Sequence, residues 1–265
     1  MSLDEKILSA FRRDGATVLR GVFDEHWIDT LRRGVEVNMN TPGEYTRAYT
    51  QDGAPGHFFG DYCNWQRIEE YRAFLFNSPA PGLARQLMRS QKVNLFHEHV
   101  LVKEPGTLDR TPWHHDQPYY CVNGRDTCSL WIPLDPVACE SCVEFIAGSH
   151  LWERWFTPMK FIGEQYDQID EGFEPIPDID SERSTHQMLS WNLEPGDCIA
   201  FHFLTVHGAP GNNSPNRRRA FAARYVGDDA VFIRRAGIMS PPFPDITLQP
   251  GDPLDCETFP VISLE

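Results

Sequence analysis

The feature that most constrains the fold is a series of short apolar segments that begins near residue 93. Five of them are rich in β-branched or aromatic residues and are bounded by Gly, Pro, Asn or Asp: VNLFHEHVLV, SLWIPLD, CVEFIAG, DCIAFHFLTVHG and RAFAARYVG. Short strands separated by turn residues are typical of sandwiches and barrels. The sequence therefore predicts a mainly β, jelly-roll barrel over about residues 93–240.

The first third of the chain has a different character. Residues 4–12 and 25–38 carry apolar residues at helical spacing among good helix formers, and the segment TVLRGVF between them alternates like a short strand. Because these helices precede the strands, we expect a helical flank over about residues 1–92 that covers an outer face of the barrel. No repeat or long linker divides the sequence, so we expect a single domain over residues 1–265.

Net charge limits the kinds of partner that the chain can bind, and its cysteine content indicates the cellular compartment. The chain has 24 Lys and Arg against 38 Asp and Glu, a net charge of −14. An acidic protein lacks the basic face that nucleic acid or an anionic membrane surface requires. No apolar stretch approaches the roughly 20 residues of a membrane-spanning helix. The seven scattered cysteines and the absence of an export signal predict reduced thiols in a cytoplasmic protein. We expect a small-molecule substrate, and the oligomeric state stays open.

The densest group of chemically active residues is Trp113-His114-His115-Asp116. Side chains two residues apart on a strand share a face, so His114 and Asp116 converge while His115 points away. One imidazole and one carboxylate provide two of the three ligands of the facial triad that holds non-haem Fe(II). A simple His–Asp hydrogen bond on a strand surface also explains the triplet, so a third ligand is needed to decide.

A candidate third ligand lies far downstream, at the end of the segment DCIAFHFLTVHG. This apolar segment ends at His207 and is followed by a Gly-Ala-Pro-Gly turn. His202 is a rival ligand five residues earlier. An odd separation on one regular strand places His202 on the face opposite to His207, so at most one of the two binds the metal.

Together these residues resemble the phytanoyl-CoA dioxygenase family of Fe(II)/2-oxoglutarate-dependent oxygenases. The resemblance rests on the WHHD cluster, on His207-Gly-x-x-x-Asn212 and on Arg218, eleven residues after His207. Further matching segments follow in the same order: FRRDG at 11–15, KEPG at 103–106, WIPLD at 131–135, FIAGSH at 145–150 and PGD at 195–197. The resemblance implies a double-stranded β-helix (cupin-like) fold, with Fe(II) as the metal, 2-oxoglutarate as cosubstrate and O₂ as oxidant.

The resemblance also assigns roles to residues. It implies that His114, Asp116 and His207 are the iron ligands and the catalytic centre. It implies that Arg218 holds the distal carboxylate of 2-oxoglutarate, a task that suits the bidentate guanidinium fork. It places Trp131 near the cosubstrate.

Neighbouring positions refine this assignment. Strand alternation should turn Arg217 and Arg219 away from the site. Ala209 stands where the family often has a serine close to 2-oxoglutarate, so that hydroxyl contact is either missing or supplied by another group. Asp116 fills the position that related halogenases leave open for chloride, which favours hydroxylation or another oxidation.

Two further features concern the substrate. His97 and His99 share one face of a strand while Glu98 and Val100 share the other. Aligning the Lys-Glu-Pro-Gly segment with the family favours Glu98 and Val100 as the inward, substrate-facing pair. An inward Glu98 would favour a cationic or hydrogen-bond-donating substrate, whereas the alternative is a satisfied carboxylate at the barrel end.

The segment 164–182 contains eight acidic residues and no basic one. A solvated loop is the simplest interpretation of this composition. A long ordered loop on a barrel rim can instead be a lid, for which we take residues 151–190 as the outer bounds.

The leading hypothesis is thus a hydroxylase that oxidises an unactivated C–H bond of a small organic molecule and releases succinate and CO₂. One alternative is a cupin-like metalloenzyme that does not use 2-oxoglutarate. Another is a ligand-binding barrel without catalysis. Arg218 separates the first two hypotheses, because only a 2-oxoglutarate enzyme needs a buried cation for the distal carboxylate. Metal content tests the third.

Overall fold

A computed structural model describes residues 2–50, 53–159, 171–237 and 239–262 of the chain. The helices of these ranges all lie in the first third: α1 (Glu5–Asp14), α2 (Glu25–Asn40), α3 (Glu69–Asn77) and α4 (Ala80–Met88). The side chains of Asp4 and Asp24 accept hydrogen bonds from backbone N–H groups at the starts of α1 and α2. The two predicted helices are confirmed. None of the four helices is long and apolar enough to cross a membrane.

Two antiparallel sheets form the barrel. The major sheet has seven strands, in spatial order β1 (Ala16–Leu19), β10 (Cys198–Phe201), β7 (Thr127–Pro133), β12 (Arg218–Val226), β4 (Asn94–Lys103), β3 (Phe58–Tyr62) and β2 (Arg47–Ala48). The minor sheet has four strands, in the order β5 (Thr111–His114), β11 (His207–Ala209), β8 (Glu144–Ile146) and β9 (Met188–Leu189). A short ribbon joins β6 (Val122–Asn123) to β13 (Val231–Phe232). The mainly β jelly-roll class is confirmed.

The central strand β12 divides the core into two layers. Phe221 and Tyr225 belong to the apolar cluster that lies between the major sheet and the helices. Ala220 and Ala222 belong to the cluster between the two sheets. Alternation along one strand therefore serves both layers, and the helical flank covers the outer face of the major sheet as expected.

The segment 197–208 does not form the single strand that the sequence suggests. β10 ends at Phe201 in the major sheet, and β11 begins at His207 in the minor sheet. Residues 202–206 cross between the sheets in a turn, in which the N–H of Thr205 donates to the carbonyl of His202. The alternation of side chains along one strand therefore does not explain why His202 and His207 differ. His202 is nevertheless outside the cluster of metal ligands.

The inward face of β4 differs from the prediction. His97 and His99 line the interior cavity, whereas Glu98 and Val100 point to the helical layer. The Glu98 carboxylate accepts a short hydrogen bond from the N–H of Asn64, in the segment leading to α3. Apolar Val100 packs beneath the helices, and this packing selects the face. The prediction that Glu98 and Val100 contact substrate is therefore wrong by one residue of register.

Of the candidate lid, residues 160–170 lie outside the part of the chain that the structure describes. Ile179 is buried in an apolar cluster that includes a residue of β8. Asp180 accepts a hydrogen bond of 3.2 Å from the indole N–H of Trp113 on β5. Residues 171–182 are thus attached to the minor sheet, and a lid role for 164–182 stays a prediction.

Candidate metal centre

The structure brings His114, Asp116 and His207 together at one end of the minor sheet. One potential ligand atom from each lies within 4.8 Å of the other two. The Oδ1 atom of Asp116 is 3.5 Å from Nε2 of His114 and 3.8 Å from Nε2 of His207. Two imidazole nitrogens and one carboxylate oxygen that converge on one point match the facial triad of non-haem Fe(II).

Both imidazole rings are oriented by the backbone. Nδ1 of His114 lies 2.7 Å from the carbonyl oxygen of Pro112, and Nδ1 of His207 lies 2.9 Å from that of Thr205. Because a carbonyl only accepts, each Nδ1 carries the proton and each Nε2 presents its lone pair to the metal position. Burial is the main cause that lowers the pKa of His207 to about 3, which keeps this ligand neutral.

Local irregularities of the backbone produce this convergence. His207 pairs with His114 and Ala209 with Thr111, so two steps along β11 match three along β5. Such a β-bulge re-aims side chains, and it allows both Thr111 and His114 to line the cavity. Asp116 lies beyond the end of β5, at the start of a 3₁₀ turn, where its N–H donates to the carbonyl of Phe203. Strand alternation alone therefore does not bring Asp116 beside His114.

Arg224 is the charge partner of the metal-binding carboxylate. Its Nε donates to Oδ2 of Asp116 at 3.2 Å, which leaves Oδ1 directed at the histidines. Burial by itself would raise the pKa of Asp116, but the Arg224 guanidinium and both imidazoles hold that pKa well below its usual value. The carboxylate is thus ionised and fixed in orientation before any metal binds.

A cavity of about 560 Å³ adjoins the three ligands. Nearly half of its lining residues come from β4, β7, β12 and the minor sheet. Aromatic side chains also contribute, among them Tyr45 and Tyr62, whose rings stack 5.2 Å apart at 7°. This volume falls within the range of sites for small organic ligands. The cavity can therefore hold a cosubstrate and part of a second molecule beside the metal position.

The basic residues Arg218 and Lys103 lie together at one end of the cavity. The two residues pair across β12 and β4, and both are buried. Arg218 donates to the carbonyls of Ser141 and Pro210, and Lys103 donates to those of Asp109 and Pro210. Burial lowers the pKa of Arg218 only to about 10, so it stays charged at neutral pH. Burial and the Arg218 charge lower the pKa of Lys103 to about 6.

The remaining predicted site residues are placed as follows. Trp131 lines the cavity from β7. Arg217 pairs with Glu36 and Glu104, and Arg219 makes a two-point ion pair with Asp135; both lie outside the cavity, as alternation predicts. Ala209 and its strand partner Thr111 both line the cavity.

His115 and His202, the two histidines that the sequence analysis expected not to bind the metal together with His207, are turned away from the metal position. Nε2 of His115 accepts a hydrogen bond from the N–H of Phe156 at 2.9 Å. Nε2 of His202 donates to the carbonyl of Arg125 at 2.9 Å, and its Nδ1 accepts from the N–H of Leu204. Both rings have structural partners, and neither belongs to the ligand cluster.

Sequence reasoning missed Arg224 and Lys103. Arg224 follows Arg218 by six residues, an even separation that places both on one face of β12. Lys103 shares the parity of His97 and His99 on β4, and would have emerged had that face been taken as inward. The even spacing of these residues along both strands could have revealed them. To use it, one must know which face of each strand the helices cover.

Comparison with known proteins agrees with this geometry. The model of the family described as phytanoyl-CoA dioxygenase (PhyH) matches residues 11–220. A probable phytanoyl-CoA dioxygenase of Caenorhabditis elegans is 24% identical over 194 residues, 71% of this chain and 56% of that protein. The chain therefore spans little more than half the length of this curated relative.

Solved structures of similar fold cover nearly the whole chain. The non-haem α-ketoglutarate-dependent carbocyclase SnoK from nogalamycin biosynthesis has a TM-score of 0.76 at 25% identity, covering 99% of this chain and 97% of SnoK. The epimerase SnoN, solved with Fe³⁺, α-ketoglutarate and nogalamycin RO, has a TM-score of 0.77 at 22% identity, with 97% of both chains covered. EctD from S. alaskensis, solved with 2-oxoglutarate and 5-hydroxyectoine, has a TM-score of 0.72 at 17% identity, with 95% and 85% covered.

The family model covers most of the chain, and the fold and the ligand cluster agree with it. The chain belongs to the phytanoyl-CoA dioxygenase family, a family of non-haem iron, 2-oxoglutarate-dependent oxygenases.

Proposed function

We propose that this chain hydroxylates an unactivated C–H bond of a small organic molecule, with Fe(II), 2-oxoglutarate and O₂. The observation that carries the proposal is the convergence of His114, Asp116 and His207, with both Nδ1 atoms tied to carbonyls, beside a cavity with a buried arginine. A metal site with open positions suits oxygen chemistry, and a buried cation suits a dicarboxylate cosubstrate. Fe(II) with 2-oxoglutarate supplies the oxidising power when bound.

The protein's own groups bind and orient. His114, Asp116 and His207 hold the metal, and Arg224 keeps the Asp116 carboxylate ionised and fixed. Arg218 binds the distal carboxylate of 2-oxoglutarate, which replaces the two backbone carbonyls that it contacts in the free protein.

Trp131 and the apolar walls exclude water from the cosubstrate. One oxygen atom of O₂ enters succinate as CO₂ leaves, and the other enters the substrate. The Asp116 carboxylate occupies the position that chloride needs in halogenases, which supports hydroxylation over halogenation.

Two of the similar structures are named for reactions other than hydroxylation. SnoK is described as a carbocyclase and SnoN as an epimerase, so product analysis must accompany any assay of turnover. Incorporation of ¹⁸O from ¹⁸O₂ into the product supports hydroxylation. A product that is cyclised or epimerised without labelled oxygen contradicts it.

We further propose that flank and barrel act as one domain and that the chain works in the cytoplasm. β1, from the helical flank, pairs with β10 of the barrel, which supports one folding unit. All seven cysteines are free, and unpaired thiols are typical of a reducing compartment.

The test compares ligand variants with matched decoys. His114→Ala, Asp116→Ala and His207→Ala should each lose bound iron and succinate formation, because two protein ligands hold Fe(II) weakly. His115→Gln and His202→Gln keep the hydrogen-bonding capacity of the decoys and should retain iron. A cupin-like enzyme that does not use 2-oxoglutarate would bind iron without forming succinate, and a plain binding barrel would bind neither iron nor 2-oxoglutarate.

A further inference from the structure

The wall of the cavity has a charge opposite to that of the chain. Among the described residues that line it, Arg47, Lys103, Arg218 and Arg224 are basic and Asp116 is the sole carboxylate. The whole chain has 38 acidic residues against 24 Lys and Arg. A cleft lined by one sign of charge attracts ligands of the opposite sign. The cavity is therefore built for anions.

The buried cations of β12 lie at two separate places. Arg218 and Arg224 are six residues apart on one face, or about 20 Å along an extended strand. Ala220 and Ala222 lie between them on the same face and leave the cavity open. In the proposed function, Arg218 would hold the distal carboxylate of 2-oxoglutarate and the other end of that molecule would lie toward the metal position. Arg224 is then available for a different ligand.

Arg224 has an unused donor at this second place. Its side chain is buried, and the contact between its Nε and Asp116 fixes the plane of the guanidinium. The guanidinium also interacts with the Tyr120 side chain, but its buried Nη1 has no hydrogen-bond partner within the described ranges. A buried donor on a charged group is costly to leave unpaired, so an acceptor on a ligand is expected here.

His97 provides an acceptor beside this donor. It is the Cα partner of Arg224 across β4 and β12, and it lines the same cavity. Its Nδ1 donates to the carbonyl of Glu98, which leaves Nε2 as an acceptor, and Nε2 has no partner in the part of the chain described. Burial and the Arg224 charge lower the pKa of His97 well below its usual value, so the ring is neutral.

We infer that Arg224 and His97 form a subsite for an acidic oxygen of the primary substrate, which makes that substrate an organic anion with an apolar ring body. Arg224 binds a carboxylate or an ionised enol or phenol, and His97 accepts a hydrogen bond from a neighbouring hydroxyl. The stacked rings of Tyr45 and Tyr62, and the ring of Tyr119, line the same cavity and supply aromatic surface for such a body. The inference rests on the proposed function, because it assigns Arg218 to 2-oxoglutarate.

The test uses 2-naphthoate and its neutral isostere 2-naphthamide. Their binding to the protein loaded with Ni(II) and saturating 2-oxoglutarate is measured by titration calorimetry. Wild type should prefer the carboxylate by about tenfold to a hundredfold, the range of a hydrogen bond to a charged group. Arg224→Gln should abolish the preference, and it is compared at saturating Ni(II) and 2-oxoglutarate because Arg224 also orients the metal ligand Asp116. Arg218→Ala should weaken 2-oxoglutarate binding and keep the preference.

Wild-type protein alone can overturn the inference, whatever the fate of the variants. Equal affinity for the two probes, or binding of neither, contradicts an anion subsite. If Arg224→Gln weakens 2-oxoglutarate binding as strongly as Arg218→Ala and leaves the preference intact, Arg224 belongs to the cosubstrate and the inference is wrong. Failure of wild type to bind Ni(II) or 2-oxoglutarate refutes the proposed function instead, and is recorded before any probe is added.

Discussion

Replacing Glu98 with glutamine should change how the stability of the protein depends on pH. Glu98 is completely buried on the helix side of β4, and burial raises its pKa from 4.5 to about 8, with a smaller contribution from the charge of Asp61. At pH 7 the carboxyl is therefore protonated in the folded protein and ionised in the unfolded chain. Glutamine has nearly the same shape and does not titrate. Because glutamine fits the same buried position without a charge, Glu98→Gln should fold at every pH between 4.5 and about 8.

The magnitude follows from proton linkage. Between pH 4.5 and 8 the folded state holds a proton that the unfolded state has released, so the free energy of unfolding falls as pH rises. One proton corresponds to about 1.4 kcal/mol per pH unit. From pH 5.5 to 7.5, wild type should lose about 2–3 kcal/mol through this one group. Glu98→Gln should not lose that amount.

The assay is urea unfolding of wild type and Glu98→Gln at several pH values. Buried histidines such as His99 and His202, whose pKa burial lowers to about 3, act in the opposite direction below pH 6.5. They are common to both proteins and cancel in the difference between the two free energies. Glu69→Gln, at an exposed glutamate of α3, is the matched control for replacing a carboxyl group that faces water. A difference between wild type and Glu98→Gln that stays flat with pH would refute a protonated, buried Glu98.

Three further predictions concern the cavity. Arg218→Ala should weaken 2-oxoglutarate binding by about 1.5–3 kcal/mol, or one to two decades in affinity, while iron is retained. Arg217→Ala is the control and should leave this affinity unchanged, because the ion pairs of Arg217 lie outside the cavity. Calorimetry measures both affinities, and a larger effect of Arg217→Ala would contradict the assignment. Lys103, whose pKa burial lowers to about 6, should take up a proton when 2-oxoglutarate binds, so the affinity falls as pH rises above 6. Lys103→Met should remove both effects, and proton uptake measured in buffers of different ionisation enthalpy tests this. Cleavage within residues 164–182 by a protease should slow when substrate and 2-oxoglutarate are present together, and equal cleavage in both states would exclude a lid.

The sequence by itself determined the elements whose signals are local. The run of short apolar segments with turn residues between them predicted the jelly roll, because strand and turn preferences act over a few residues. The WHHD cluster, His207 and Arg218 were found because their residue types and spacing resemble a known family. The structure brings the three predicted metal ligands into one cluster and buries Arg218 in the cavity beside it. Helices α1 and α2 followed from their apolar periodicity and their good helix-forming residues, and the structure adds the aspartate caps.

Tertiary structure decided which face of each strand meets the cavity. Alternation divides β4 into a His97 face and a Glu98 face, but a strand buried on both sides gives no local sign of which is inward. The helical layer selects Val100 for its own side, and that choice turns the histidines and Lys103 toward the cavity. The crossing at residues 202–206 is likewise non-local, because two different sheets hold the strands that flank it. The anionic preference of the cavity arises only when distant strands place their cations around one space, and no window of sequence contains that arrangement.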